Sequence, residues 1–220
     1  MLNKLVLSIG ALLIGSSVNA QPLSPADQYR LHVYLFEELT KENNLKLNRV
    51  TRQGELSACE LEFQYVYRDI RARKGAPIVL TGSFSASWTP GKIPGYMFKI
   101  NAAELDTVNT KWTVTAPPYI NVTVKGRSFN PYKSGDFVCE TGGRCVGYYD
   151  KDFKINLSVV EAYPFDAAIS WSLTEGGMDT SVDLSRIGDR SNANKALESF
   201  YRCNMEINNK LTEYLEKITR

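Results

Sequence analysis

A single histidine, His32, occurs in the 220 residues. An imidazole-dependent triad therefore has one candidate base, and neither a Gly-x-Ser-x-Gly elbow nor a Ser-x-x-Lys motif supplies a nucleophile to go with it. His32 falls on a helical stretch without an identifiable partner, which reads as a packed residue rather than a catalyst. Gly-x-x-x-x-Gly-Lys-Ser/Thr loops and the Gly-x-Gly-x-x-Gly turn are absent too, so no nucleotide cofactor has a recognisable cradle, and no cofactor is expected. Zinc wants four soft ligands in two close pairs, whereas the chain offers one close cysteine pair, two distant cysteines and one histidine, and no metal is expected. Neither sign of charge dominates: 26 Lys and Arg face 24 Asp and Glu, too even a balance for a nucleic-acid or membrane-surface footprint. No apolar run reaches the roughly 20 residues that span a bilayer.

The apolar run that does occur comes first. Residues 5–14 follow Lys4 and precede small residues at Val18 and Ala20, the layout of a secretory signal peptide over residues 1–20. Cleavage after Ala20 leaves residues 21–220, the size of one domain. The residue directly after the cleavage point is Gln21 rather than cysteine, and the C-terminus is polar, so neither lipid-anchor signal is expected. The short leader has a bacterial look, and the expected location is the periplasm or outside the cell. Asn121 and Asn156 head glycosylation triplets, yet both fall in strand-like runs where a glycan is awkward.

In an exported protein four cysteines favour disulfides, and Cys59, Cys139, Cys145 and Cys203 permit three pairings. The five residues between Cys139 and Cys145 are too many for a redox Cys-x-x-Cys, but Gly142 and Gly143 can fold the chain back and bring the two together. Cys139 with Cys145 is the expected clamp. By elimination Cys59 joins Cys203, tying a strand to the last helix across a very long loop, for which chain entropy gives about 4–5 kcal/mol.

Ser24 as a cap, Pro25 at the first helical position and apolar residues at Tyr29, Val33, Phe36 and Leu39 predict a helix over about 24–42. Its further apolar residues Leu31, Tyr34 and Leu35 predict cover on more than one side, by the sheet and by the C-terminal helix. From Leu56 the period becomes two: Cys59, Leu61, Phe63, Tyr65 and Tyr67 on one face, Glu60, Glu62, Gln64 and Arg68 opposite. Ile78, Leu80, Gly82, Phe84, Ala86 and Trp88 repeat the alternation, so the two runs form a hairpin. Further runs around Tyr96, Trp112, Ile120, Ile155, Ile169 and Val182 bring the total to about seven to eight strands between about 56 and 185. Ser191 heads a final helix over about 191–218, frayed near Ile207–Lys210. The expected class is α+β: an antiparallel sandwich or open barrel with both helices packed on it.

Four groups are candidates for function. Arg68, Arg71, Arg73 and Lys74 crown the turn between the first two strands; arginine forks there could grip phosphate or carboxylate, and a solubilising turn balanced by Asp69 is the plainer reading. Tyr148 and Tyr149, with Tyr119 and Tyr132, could form a recognition surface, or be buried in a β-rich core. Glu60 and Glu62 share an outer strand face and read as solvated rather than as a glycosidase pair. Asp150 and Asp152 lack the remaining oxygen ligands of a calcium loop.

Between Cys59 and Phe200 the layout resembles the invasion-associated locus B family of exported bacterial proteins. The similar points are "ACELEFQ", the pair in "CETGGRC", "TSVDLSRIG" and "KALESF". The resemblance implies a β-sandwich envelope protein that acts by contact, and it carries over no catalytic residue. A non-enzymatic binding protein is the expected function, acting on a protein or envelope component as an inhibitor, an immunity factor or a host-contact factor. The alternative is a hydrolase of cell wall or polysaccharide that draws two carboxylates from separate strands.

Overall fold

The structure, a computed structural model, describes residues 23–69, 75–90, 92, 95–106, 111–115, 119–124, 127–128, 132–133, 138–139, 145–146, 167–172 and 180–219. The leader, Asn156 and the run around Ile155 lie outside them. Helix α1, Pro25–Thr40, begins as its sequence dictates: Pro25 opens the helix, and the Ser24 Oγ accepts the Asp27 N–H at 3.2 Å. Its end comes at Thr40, and Asn43 then reaches forward, its Oδ1 accepting the Val66 N–H at 2.8 Å.

Five strands follow in chain order and pair antiparallel with their neighbours: β1 (Asn44–Arg52), β2 (Glu55–Asp69), β3 (Ala76–Ser87), β4 (Gly95–Asp106) and β5 (Lys111–Thr115). β1 is not foreseen from the sequence, because as an edge strand it buries only Leu45. The β2–β3 hairpin is as expected, with Cys59 opposite Ala86, Leu61 opposite Phe84, Phe63 opposite Gly82 and Tyr67 opposite Ile78. Gly82 is needed there. A Cβ at that position would collide with the Lys99 carbonyl and the Phe63 ring, so the glycine gives Phe63 room to lie across the ladder.

The remaining strands are shorter. β6 (Tyr119–Val124), β7 (Arg127–Ser128), β8 (Tyr132–Lys133), β11 (Ala167–Ser172) and β12 (Thr180–Asp183) make a second antiparallel sheet, and β9 (Val138–Cys139) pairs with β10 (Cys145–Val146). Asn121 lies in β6, a strand as read. A 3-10 turn at Leu184–Arg186 then leads into α2, Arg190–Thr219. The cap of α2 is Asp189 rather than Ser191, the Asp189 Oδ1 accepting the Asn192 N–H at 2.9 Å. The expected fraying near Ile207 does not occur. Ile207 has no solvent exposure, and the buried Asn204 keeps its NH2 within the helix by donating to the Phe200 carbonyl at 2.7 Å, while its Oδ1 is buried without a donor among the described residues.

Because β2 alternates, its two faces carry different cores. Cys59, Leu61, Phe63 and Tyr67 join Phe84, Ile100, Leu184, Leu197, Phe200 and Cys203 in the main cluster beneath α2. Val66 and Val79, partners on the other face, make a small cluster with Leu35 and Leu39 of α1. The helices therefore sit on opposite faces of the sheet, and the expected cover of α1 by α2 is corrected: Tyr29 and Tyr34 are half exposed instead. His32 is buried. The class is α+β with antiparallel sheets, and among the described residues no helix is long and apolar enough to cross a membrane.

A disulfide joins Cys59 of β2 to Cys203 of α2 across a Cα separation of 6.0 Å, with both residues at 0% exposure. It spans 144 positions of sequence. Replacing both cysteines by alanine is expected to lower the unfolding free energy by about 4–5 kcal/mol, read as a fall in the denaturant midpoint. A change below about 1 kcal/mol would show that the cross-link constrains little.

Candidate functional site

The β1–β2 hairpin closes on Arg52 and Glu55, the last paired rung, with Gln53 and Gly54 between them. Their φ angles of 54° and 82° are both positive, as in a type I′ turn. Glycine adopts that region freely, but glutamine does not, and Gln53 is the one non-glycine residue with positive φ among the described residues. Two rungs further in, the register slips: Val50 pairs with Ala58 and Thr51 with Leu56, leaving Ser57 as a bulge. The slip reverses the alternation and turns Leu56 into the core beneath α2. Ser57 becomes a junction, its Oγ donating to the Val50 carbonyl at 3.1 Å and its carbonyl accepting the Trp88 N–H at 2.9 Å.

Trp88 follows β3 directly and precedes Thr89 and Pro90. Together with the hairpin end these residues wall a cleft of about 570 Å³, lined by Arg52, Gln53, Glu55, Leu56, Ser57, Trp88, Thr89 and Pro90. Helix α2 supports it from behind: the Tyr214 ring meets Trp88 edge-on at 6.3 Å, and the Lys210 Nζ lies 3.7 Å from the Glu55 Oε2. Trp88 is only 8% exposed, and its buried indole Nε1 finds no hydrogen-bond acceptor among the described residues. Leaving such a donor unsatisfied costs about 1–3 kcal/mol. Among the described residues that line the cleft, Glu55 is the one carboxylate. Among the described residues no three His, Cys, Asp or Glu side chains gather to hold a metal ion.

The residues singled out from sequence are distributed elsewhere. Arg68 stands at the end of β2, as the hairpin reading placed it, but its guanidinium is engaged. It lies 5.0 Å from the centre of the Tyr29 ring and 6.0 Å from that of Phe36, and its Nε donates to the Gly75 carbonyl at 3.4 Å. That arrangement pins α1 to the hairpin end. Arg71, Arg73, Lys74, Tyr148 and Tyr149 lie outside the described residues, as do Asp150 and Asp152. Cys139 and Cys145 face each other directly in the β9–β10 ladder. Glu60 is not solvated as read: Ser83 donates to its Oε1 at 2.7 Å, and the Lys99 Nζ lies 3.5 Å from the same oxygen. Glu62 is half-buried on the same face, in register with Ser83 and Lys46.

Among the described residues, two side chains have shifted titration, both outside the cleft wall. Burial pushes the Tyr65 phenol up, and a hydrogen bond to Glu38 raises the Lys41 ammonium. Sequence reasoning missed the cleft, although the Gln-Gly pair in "TRQGEL" carried a hairpin signal. No protein-family model, no curated protein and no solved structure matches the chain.

Replacing Gln53 by asparagine, which tolerates positive φ, is expected to raise the unfolding free energy by about 0.5–1 kcal/mol. Gly54→Ala should lower it by about 1–2 kcal/mol, since nothing lies within 4 Å of a Cβ there and the penalty is purely conformational. Equal stabilities in chemical denaturation would mean the turn holds no strain.

Proposed function

We propose that the protein is an exported, non-enzymatic binding protein, working in the periplasm or outside the cell, that holds an envelope component in the cleft at the β1–β2 turn. One observation carries this reading: three departures from ideal structure meet in that cleft. Gln53 has positive φ, Ser57 is a bulge, and Trp88 keeps a buried donor without an acceptor. Each lowers stability, and unrelieved costs of this kind gather where a ligand is held.

Binding is favoured over hydrolysis because Glu55 is the one carboxylate among the described residues that line the cleft, whereas glycoside cleavage draws on two acids facing one another. Export rests on the leader pattern of residues 1–20 and accords with the Cys59–Cys203 disulfide. A second disulfide, Cys139–Cys145, belongs to the proposal and draws support from the direct opposition of the two residues. The likeness to the invasion-associated locus B layout points the same way, toward action by contact.

The test is co-sedimentation of the oxidised mature protein with an insoluble envelope fraction. The protein is expected to pellet, to release no soluble fragments, and to stay in the supernatant when Arg52→Ala and Glu55→Gln are combined. Both side chains are exposed, so the double variant should fold. Fragment release that Glu55→Gln abolishes would establish a hydrolase instead. Equal pelleting of the double variant would remove the cleft from the account.

A further inference from the structure

Resting on the reading of the cleft as a ligand site, we infer that its ligand is a neutral saccharide, recognised through its hydroxyl groups. The wall mixes donors and acceptors within a few residues. The exposed Arg52 guanidinium and Gln53 carboxamide line the cleft, and the indole Nε1–H of Trp88, which also lines it, is buried without an acceptor among the described residues. Ser57 directs its proton to the Val50 carbonyl, which leaves its oxygen able to accept. Glu55 is an acceptor only, steadied by Lys210.

Such a wall discriminates among chemical classes. A phosphate or a polycarboxylate would suit Arg52 but would meet the Glu55 charge. A cation would suit Glu55 and meet Arg52 and Lys210. A hydroxyl group is both donor and acceptor, so adjacent hydroxyls satisfy both sets without bringing a charge. The exposed Pro90, with only the margins of the buried Leu56 and Trp88 beside it, supplies the apolar contact for the C–H edges of a sugar ring. A flat nucleobase would want the open face of an aromatic ring, and Trp88, being 8% exposed, offers little of its face. The volume of about 570 Å³ is that of a small-molecule site, so the cleft holds the end or a short segment of a glycan.

The indole Nε1–H of Trp88 provides the readout. The sequence has three tryptophans, so their side-chain N–H signals in a two-dimensional nitrogen–proton spectrum are few, and loss of one in Trp88→Phe assigns it. The mature oxidised protein is titrated separately with maltotriose, cellotriose, chitotriose, inorganic phosphate and diglycine. At least one trisaccharide is expected to move the Trp88 signal saturably, with phosphate and diglycine leaving it in place. Arg52→Ala, an exposed change that should not disturb folding, is expected to weaken that saccharide roughly tenfold. A shift with phosphate or diglycine and none with the three sugars would overturn the saccharide inference while keeping the cleft as a binding site. No shift with any probe, together with envelope pelleting that the Arg52 and Glu55 changes abolish, would overturn the inference alone; no shift and no pelleting would overturn both.

Discussion

Cys59 and Cys203 are joined where β2 passes beneath α2, in a region from which solvent is excluded. The bond fixes one point of the helix over one point of the sheet, and the positions of the other contacts follow from the two rises. Seven residues beyond Cys203, about 10 Å along the helix, Lys210 reaches Glu55, which lies four residues, or about 13 Å, back along β2. Tyr214, one turn further, arrives at Trp88. The wall of the cleft is thus aligned from behind by a helix whose register against the strand is covalently set. Without the bond the same contacts would have to hold a 30-residue helix on a largely apolar face by packing alone.

The second constraint is the alternation of β2. One face supplies the large cluster that meets α2, and the other supplies a patch of two valines, large enough to hold α1 but not to bury it deeply. This explains why α1 leaves Tyr29 and Tyr34 half exposed and why Arg68 is engaged in stacking on Tyr29 and Phe36 instead of standing free at the hairpin tip. Beyond α1, the same face carries Glu60, Ser83 and Lys99, a polar group that closes on itself. These three side chains satisfy one another on that face, whereas the Trp88 indole N–H, at the end of the sheet in the cleft, is buried without an acceptor among the described residues.

Legibility in the sequence followed burial. The β2 and β3 runs alternate cleanly because one face of each is fully covered, and the Ser24 cap with Pro25 announces α1 without ambiguity. The Cys59–Cys203 link was reachable by elimination, since the other two cysteines flank a glycine pair. β1 was not reachable: an edge strand with one buried residue has no apolar period to read. The continuity of α2 past Ile207 depends on Asn204 bonding to its own helix, which polarity alone disguises as a break. The cleft was hidden for a different reason. A bulge at Ser57 reverses the alternation that sequence reading relies on, and the orphaned Trp88 donor is a property of three-dimensional surroundings that no spacing encodes.

The cleft and the scaffold both depend on the covalent joining of β2 and α2 at one defined pair of residues. Mass-spectrometric peptide mapping of the unreduced mature protein addresses it directly. A linked pair of fragments containing Cys59 and Cys203 is expected, with neither thiol free. Recovery of either cysteine as a free thiol, or joined to Cys139 or Cys145, would contradict it.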